Sequence, residues 1–221
     1  MINQKIAVFF DCENISYKYL DEIFDELAKI GEVSINKAYH DWSNEDSNQW
    51  KEKLSEYAIE PITIFRSTSG KNSADIKIAI DVTNTTHISN IDIIVLVSSD
   101  SDFTNLAIDI KSKGIISIGF GEEKTPNKLR KAFSEFYELP RLRQKQKPIN
   151  IILKEAINNT MYDDGFANVA LISQYLKNKD SSLIPQNYGY ERWSDIFKEE
   201  TKYFTTDYRN DKSMLIVKIK D

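Results

Sequence analysis

Apolar positions in the first 140 residues switch repeatedly between a period of about two and a period near 3.6. Lys5 to Phe10 is a short apolar run and Val33 to Tyr39 alternates, so both predict strands. Between them Leu20, Phe24, Leu27 and Ala28 recur at helical spacing. Trp50, Leu54 and Tyr57 predict a second helix, Pro61 to Phe65 a third strand, and Ile76, Ala79, Ile80 and Thr83 a third helix. Ile93 to Val97 is nearly all β-branched, which suits a central strand buried on both faces. A helix from Phe103 to Lys113 then closes at Gly114, and Ile115 to Phe120 is a fifth strand. Thr125-Pro126 reads as an N-cap with proline at the first helical position, opening a helix through about Tyr137. Repeated strand–helix units imply an open, mainly parallel sheet with helices on both faces, an α/β fold.

The pattern changes at Pro140. Residues 141–148 are polar and basic and predict a linker between a domain over 1–140 and a smaller one over 149–221. In the latter, Ile149 to Asn158, Val169 to Leu176 and Trp193 to Glu199 read as helices, with a turn at Asn187 to Tyr190. Met214 to Ile219 alternates as a closing strand. Three short helices and a β element predict a compact, winged-helix-like module.

Composition narrows the function classes. With 221 residues and 41% hydrophobic content, the chain can build one medium core and one small one. No apolar run approaches the roughly 20 residues of a membrane span, and residues 1–5 lead into a strand without signal-peptide character. One cysteine permits no intrachain disulfide, so a cytoplasmic location is expected. One cysteine and two histidines also argue against zinc. Residues 1–140 carry 15 Lys and Arg against 23 Asp and Glu, an excess that means either a solvated surface or carboxylates gathered around cations.

Position decides between these. Ligands of an open parallel sheet bind beyond the carboxyl ends of its strands. Asp11 follows the first strand in Asp11-Cys12-Glu13-Asn14, and Asp100 and Asp102 follow the fourth in Ser98-Ser99-Asp100-Ser101-Asp102. If those strands are neighbours, three carboxylates converge on one edge, and Asp75 at the start of the third helix can reach it. Carboxylates held together repel unless protonated or bridged by cations, and Mg2+ or Mn2+ prefers such oxygen ligands. A bridging metal would reverse the sign of the pocket, admit a phosphodiester and activate water. Any single aspartate here could be only a helix cap; the paired motifs favour chemistry. Asp81, six residues beyond Asp75, points about 120° away on a helix and is expected to support or cap rather than ligate.

These motifs resemble the NYN domain, a branch of the PIN-like nucleases. The likeness spans about residues 5–139 and rests on Val8 to Asn14, Lys71 to Asp75 with Asp81, Ser98 to Phe103, and Leu129, Ala132 and Phe136 matched to the last helix. It implies a PIN-like three-layer α/β/α domain with Asp11, Asp75, Asp100 and Asp102 as catalytic metal-binding carboxylates. Asn14 would orient a ligand and Lys71 would contact substrate. The chain departs from the family in having Ser99 where a glycine is usual. Residues 149–221 resemble an OST-HTH/LOTUS module through Asp164 to Ala167, Leu171 to Leu176, and Tyr188 to Tyr190 with Trp193, Ile196 and Phe197. That likeness implies a surface for RNA or for a protein partner.

Several further features are candidates for nucleic-acid contact. Trp42, beyond the second strand, could stack on an unpaired base. The basic linker, and Lys124, Lys128, Arg130 and Lys131, could meet a phosphate backbone. The leading expectation is a Mg2+- or Mn2+-dependent endoribonuclease acting on single-stranded or structured RNA, with DNA and an oligomeric state left open. The alternatives are a non-catalytic RNA-binding adaptor of the same fold and a phosphatase with Asp11 as nucleophile.

Overall fold

The computed structural model describes residues 4–43, 47–65, 72–88, 90–140, 149–209 and 213–220. The chain divides into two compact units, Met1–Pro140 and Arg141–Asp221. Lys71 and the basic segment 141–148 lie outside the described residues.

The first unit runs β1 (Lys5–Asp11), α1 (Leu20–Ile30), β2 (Glu32–His40), α2 (Asn48–Glu56), β3 (Glu60–Thr63), α3 (Ser73–Thr85), β4 (Ile93–Val97), α4 (Thr104–Ser112), β5 (Ile116–Glu122), α5 (Asn127–Ala132) and β6 (Glu135–Leu139). All six strands are parallel, in the order β3-β2-β1-β4-β5-β6. The order reverses at β1, which pairs with β2 on one side and β4 on the other, Phe10 opposite Val97. The residues that follow this pair therefore emerge side by side at a switch point.

Alternation along β1 builds the three layers. Phe10 packs its ring 6.0 Å from that of Phe24 on α1 and 6.2 Å from that of Trp50 on α2. Ala7 and Phe9 point the other way, into a core with Ala74, Ile78 and Val82 of α3, Ala107 and Ile110 of α4, and Leu129 and Ala132 of α5. Burying a side chain such as Phe9 stabilises the unit by about 1.5–3 kcal/mol. β4 is buried at every residue, as its composition predicts.

Two elements differ from the sequence reading. Helix α3 exists, but it buries Ala74, Ile78, Val82 and Thr85, leaving Ile76 60% and Ile80 50% exposed. Its rotation is pinned by a hydrogen bond from Tyr39 Oη to Asp81 Oδ2 (2.8 Å), and small Ala74 lets its first turn close on the sheet. The last helix stops at Ala132, where Phe133 turns extended (φ −76°, ψ 163°) and the chain continues as β6 beside β5. Phe136, read as helical, thus lies on a strand. Phe133 and Phe136 press on Gly119, where a Cβ would stand 2.5 Å from the Phe133 ring, so only glycine admits them. Pro126 takes the N-cap position of α5, and Thr125 Oγ1 donates to the Glu122 carbonyl (2.6 Å) instead of capping.

The second unit contains α6 (Ile149–Thr160), β7 (Ala167–Asn168), α7 (Val169–Lys179), α8 (Trp193–Glu199), β8 (Phe204–Arg209) and β9 (Met214–Ile219). Its sheet is antiparallel, in the order β7-β9-β8. Leu153 and Ile157 of α6, Ile172 and Leu176 of α7, and Trp193, Ile196 and Phe197 of α8 form its core. Asn168 caps α7 by accepting from the Ala170 N–H (2.8 Å). This is the winged-helix-like layout expected, with β7 and β8 added.

Candidate functional site

At the end of β1, Asp11 shares the sheet face of Ala7 and Phe9 and is fully buried. Its Oδ2 accepts two hydrogen bonds, from Ser98 Oγ (2.7 Å) and from Asn14 Nδ2 (2.8 Å). Its Oδ1 is buried with no hydrogen-bond partner. Burial pushes the Asp11 pKa above its usual value, the Ser98 and Asn14 hydrogen bonds oppose this, and the nearby Asp100 charge adds to it.

Ser98 links Asp11 to the second motif. Its Oγ also accepts from the Asp100 N–H (3.0 Å), while Asp100 Oδ1 accepts from the Asp102 N–H (2.9 Å) and caps the 3-10 turn Ser101–Phe103. The cap geometry that could have explained Asp102 therefore belongs to Asp100. Asp75 joins from the first turn of α3. One oxygen from each of Asp75, Asp100 and Asp102 lies within 4.8 Å of the others. Asp75 registers the crowding: burial first, then the charges of Asp11, Asp100, Asp102 and Glu13, push its pKa up to about 6.

Asp11 stands outside the tightest group but is the largest charge acting on Asp75. Four carboxylates thus share one edge, three converging and the fourth carrying a buried oxygen that accepts no hydrogen bond. The donors are all oxygen and suit Mg2+ or Mn2+. Cys12 is no competing ligand, since it is buried, donates weakly to the Phe10 carbonyl (3.6 Å), and has its thiol pKa raised by burial. Complete burial of Asp11 also makes it a poor direct nucleophile for a phosphatase.

The remaining candidates separate. Asn14 and Ser98 sit on Asp11, as positioning groups. Asp81 lies away from the cluster, bonded to Tyr39 and to Lys77 Nζ (2.7 Å); burial raises its pKa, but these hydrogen bonds outweigh it and hold the group low. Trp42 is half-buried, its indole N–H committed to the Ile62 carbonyl (3.0 Å) and its ring edge-on to His40 at 5.3 Å. Ser99 avoids the left-handed backbone region, where Ala58 is the one non-glycine among the described residues. Its Oγ accepts from the Glu122 N–H (2.9 Å), tying the end of β4 to β5, so serine fits where the family has glycine. Arg130 is buried, bonded to Glu138 and to the Thr125 and Glu123 carbonyls, which removes it from any phosphate-facing patch.

Sequence reasoning missed a cleft of about 430 Å³ between α3 and α4, which Asp75 and Asp102 share with Ile76, Ala79 and Leu106. The signal was present in the second apolar stripe of α3, but it looked like the core.

No curated protein matches the chain. A crystal structure of a protein of unknown function from Vibrio parahaemolyticus is similar at 21% identity and TM-score 0.53, over 62% of this chain and 93% of that one, which shows the shared fold alone. A solution structure of an uncharacterized protein from Nitrosomonas europaea is similar at 24% identity and TM-score 0.32, over 36% and 79%. The OST-HTH/LOTUS domain model matches residues 140–216, and the NYN domain model matches residues 5–143. With its PIN-like α/β/α sheet and its acidic strand-end cluster, the chain belongs to the NYN domain family.

Proposed function

We propose that the chain is a divalent-metal-dependent endoribonuclease, with Asp11, Asp75, Asp100 and Asp102 as its metal-binding catalytic carboxylates. An NYN domain followed by an OST-HTH/LOTUS domain marks RNA-related cleavage or binding. The observation that carries the finer reading is Asp11 Oδ1, buried and without a hydrogen-bond partner, beside three carboxylates whose oxygens lie within 4.8 Å of one another. A buried acceptor left unpaired costs about 1–3 kcal/mol, and like charges at this spacing repel; a bound cation removes both costs. Mg2+ or Mn2+ supplies there the positive charge that admits a phosphodiester and the Lewis acidity that activates water.

The chain's own groups do the positioning. Ser98 and Asn14 both bind Asp11 Oδ2 and so hold Oδ1 free to ligate. Ser98 Oγ also fixes the Asp100 backbone, coupling the two motifs through one atom. Neither histidine lies in the cluster, so its ionisable groups are carboxylates. In the second unit Arg209 lies 5.4 Å from the Tyr162 ring centre and 6.0 Å from that of Phe166, and Lys218 Nζ lies 5.7 Å from the latter. Arg209 is also paired with Asp164, so the exposed Tyr162 ring and Lys218 are what support an RNA-holding role for that module. No helix among the described residues is long and apolar enough to cross a membrane.

The test is incubation of the purified protein with labelled single-stranded and structured RNA, in Mg2+, Mn2+ or EDTA. Metal-dependent cleavage that vanishes in folded Asp11→Asn and Asp100→Asn variants is the expected result. RNA binding without cleavage in any metal would point instead to an adaptor.

A further inference from the structure

We infer that the cleft between α3 and α4 is a subsite for one unpaired base of the nucleic-acid strand whose phosphate sits at the carboxylates. This rests on the nuclease reading for its phosphate and goes beyond it in naming single-stranded substrate and its specificity-determining side chains.

Helix α3 is apolar on two sides, although one suffices for the fold. Ala74, Ile78 and Val82 enter the core, and the second stripe lies outward, with Ile76 60% exposed. The helix also carries a polar side, where Lys77 pairs with Asp81, so the exposed Ile76 stands out as apolar surface beside the cluster. Ile76 and Ala79 of that stripe face Leu106 of α4 across the cleft. Thr83 and Asn105 supply hydrogen-bonding groups among these apolar walls. Eight residues of helix separate Asp75 from Thr83, so the cleft reaches about 12 Å along α3 from the cluster.

Charge selects the occupant. Among the described residues the lining holds Asp75, Asp102 and Asp109 and no Lys or Arg. Asp109 is paired with Lys113 Nζ (2.7 Å) and a metal at the cluster would offset the other two, so beyond the cluster those residues offer a phosphate no free cation, while a neutral ring meets no charge cost. Apolar walls with a few convergent polar groups are the usual make-up of a small-ligand pocket, and 430 Å³ suits one nucleoside better than a protein segment. The cleft opens directly from Asp75 and Asp102, so a nucleotide anchored by its phosphate at the cluster has its base at the entrance. A paired base cannot enter without leaving its duplex.

Cleavage of a single-stranded RNA in Mn2+ is compared with the same strand made abasic at one position at a time. A second measurement follows 2-aminopurine fluorescence at each position in Ca2+. Loss of one base beside the scissile linkage is expected to lower kcat/KM about tenfold, the scale of a single stacked base. Ala79→Phe, which fills the cleft, and Ile76→Glu, at an exposed position that leaves folding intact, should erase that discrimination and the fluorescence quench at the same position. Equal cleavage of intact and abasic strands at every position, with activity still lost in Asp11→Asn, overturns the subsite and leaves the nuclease standing. A quench that depends on Ala79 in a protein that cleaves nothing keeps the subsite and removes the nuclease. Variants that alter sedimentation of the protein but neither RNA measurement would assign the cleft to a protein contact and also overturn the proposal.

Discussion

Replacing Asp75 by Asn should stabilise the metal-free protein and destabilise the metal-loaded one. In the fold the Asp75 pKa stands at about 6 against an ordinary 3.8, because burial and four neighbouring carboxylates disfavour its charge. A carboxyl raised on folding holds its proton more tightly in the folded state. Its favourable contribution is complete below pH 3.8 and is lost as the pH climbs through about 6, so at pH 7–8 the ionised group strains the apo-protein. The full shift corresponds to roughly 3 kcal/mol, and solvent screening of this half-exposed group reduces it to about 1–2 kcal/mol. For a chain of this size that is a rise of about 3–6 °C in Tm for Asp75→Asn at pH 8 in EDTA, shrinking toward zero near pH 4. Saturating Mn2+ should reverse the order, since a ligand at 100 times its Kd stabilises the wild type by about 2.7 kcal/mol and the variant binds it less well. Thermal unfolding from pH 4 to 8, with EDTA and with Mn2+, reads both effects. A variant less stable than wild type in EDTA at pH 8, or a difference independent of pH, refutes the reasoning and makes Asp75 a structural residue.

Ser98→Ala removes a buried donor to Asp11 and a part-buried acceptor for the Asp100 N–H; it should cost about 1–3 kcal/mol in urea unfolding and weaken Mn2+ binding measured by calorimetry. Arg130→Ala leaves Glu138 and two carbonyls without their buried partner, so a loss of about 3–5 kcal/mol is expected by denaturant unfolding. Gly119→Ala drives a methyl into the Phe133 and Phe136 rings and should cost about 1–3 kcal/mol or more, again by unfolding. Tyr162→Ala should weaken RNA binding by about tenfold in a fluorescence-anisotropy titration, with the metal-binding isotherm unchanged.

Much of this was legible because it depends on local rules. A strand rich in β-branched residues announces itself, and an aspartate directly after it must stand at the carboxyl edge, so Asp11 and Asp100 could be placed before any coordinates. That they meet depends on β1 pairing with β4, which the sequence offers only as a condition. Phe136 was misplaced because Leu129, Ala132, Phe133 and Phe136 keep helical spacing beyond the end of the helix. What breaks the helix is distant: the bare surface of Gly119, where both rings settle. Strand β8 escaped notice because only Phe204 within it is buried, so its identity comes from pairing with β9 and not from its own pattern. The cleft was hidden by an ambiguity of helix α3, whose two apolar stripes cannot be told apart until Tyr39 and Asp81 fix its rotation.

The pairing of β1 with β4 carries a consequence for synthesis. Asp11 leaves the ribosome well before the partner strand that brings Asp100 to it, which lies more than eighty residues downstream, and Ser99 is braced by a strand that comes later still. A nascent chain that stops before α3 has Asp11 and none of the other three carboxylates. The four carboxylates cannot stand together until most of the first domain has emerged.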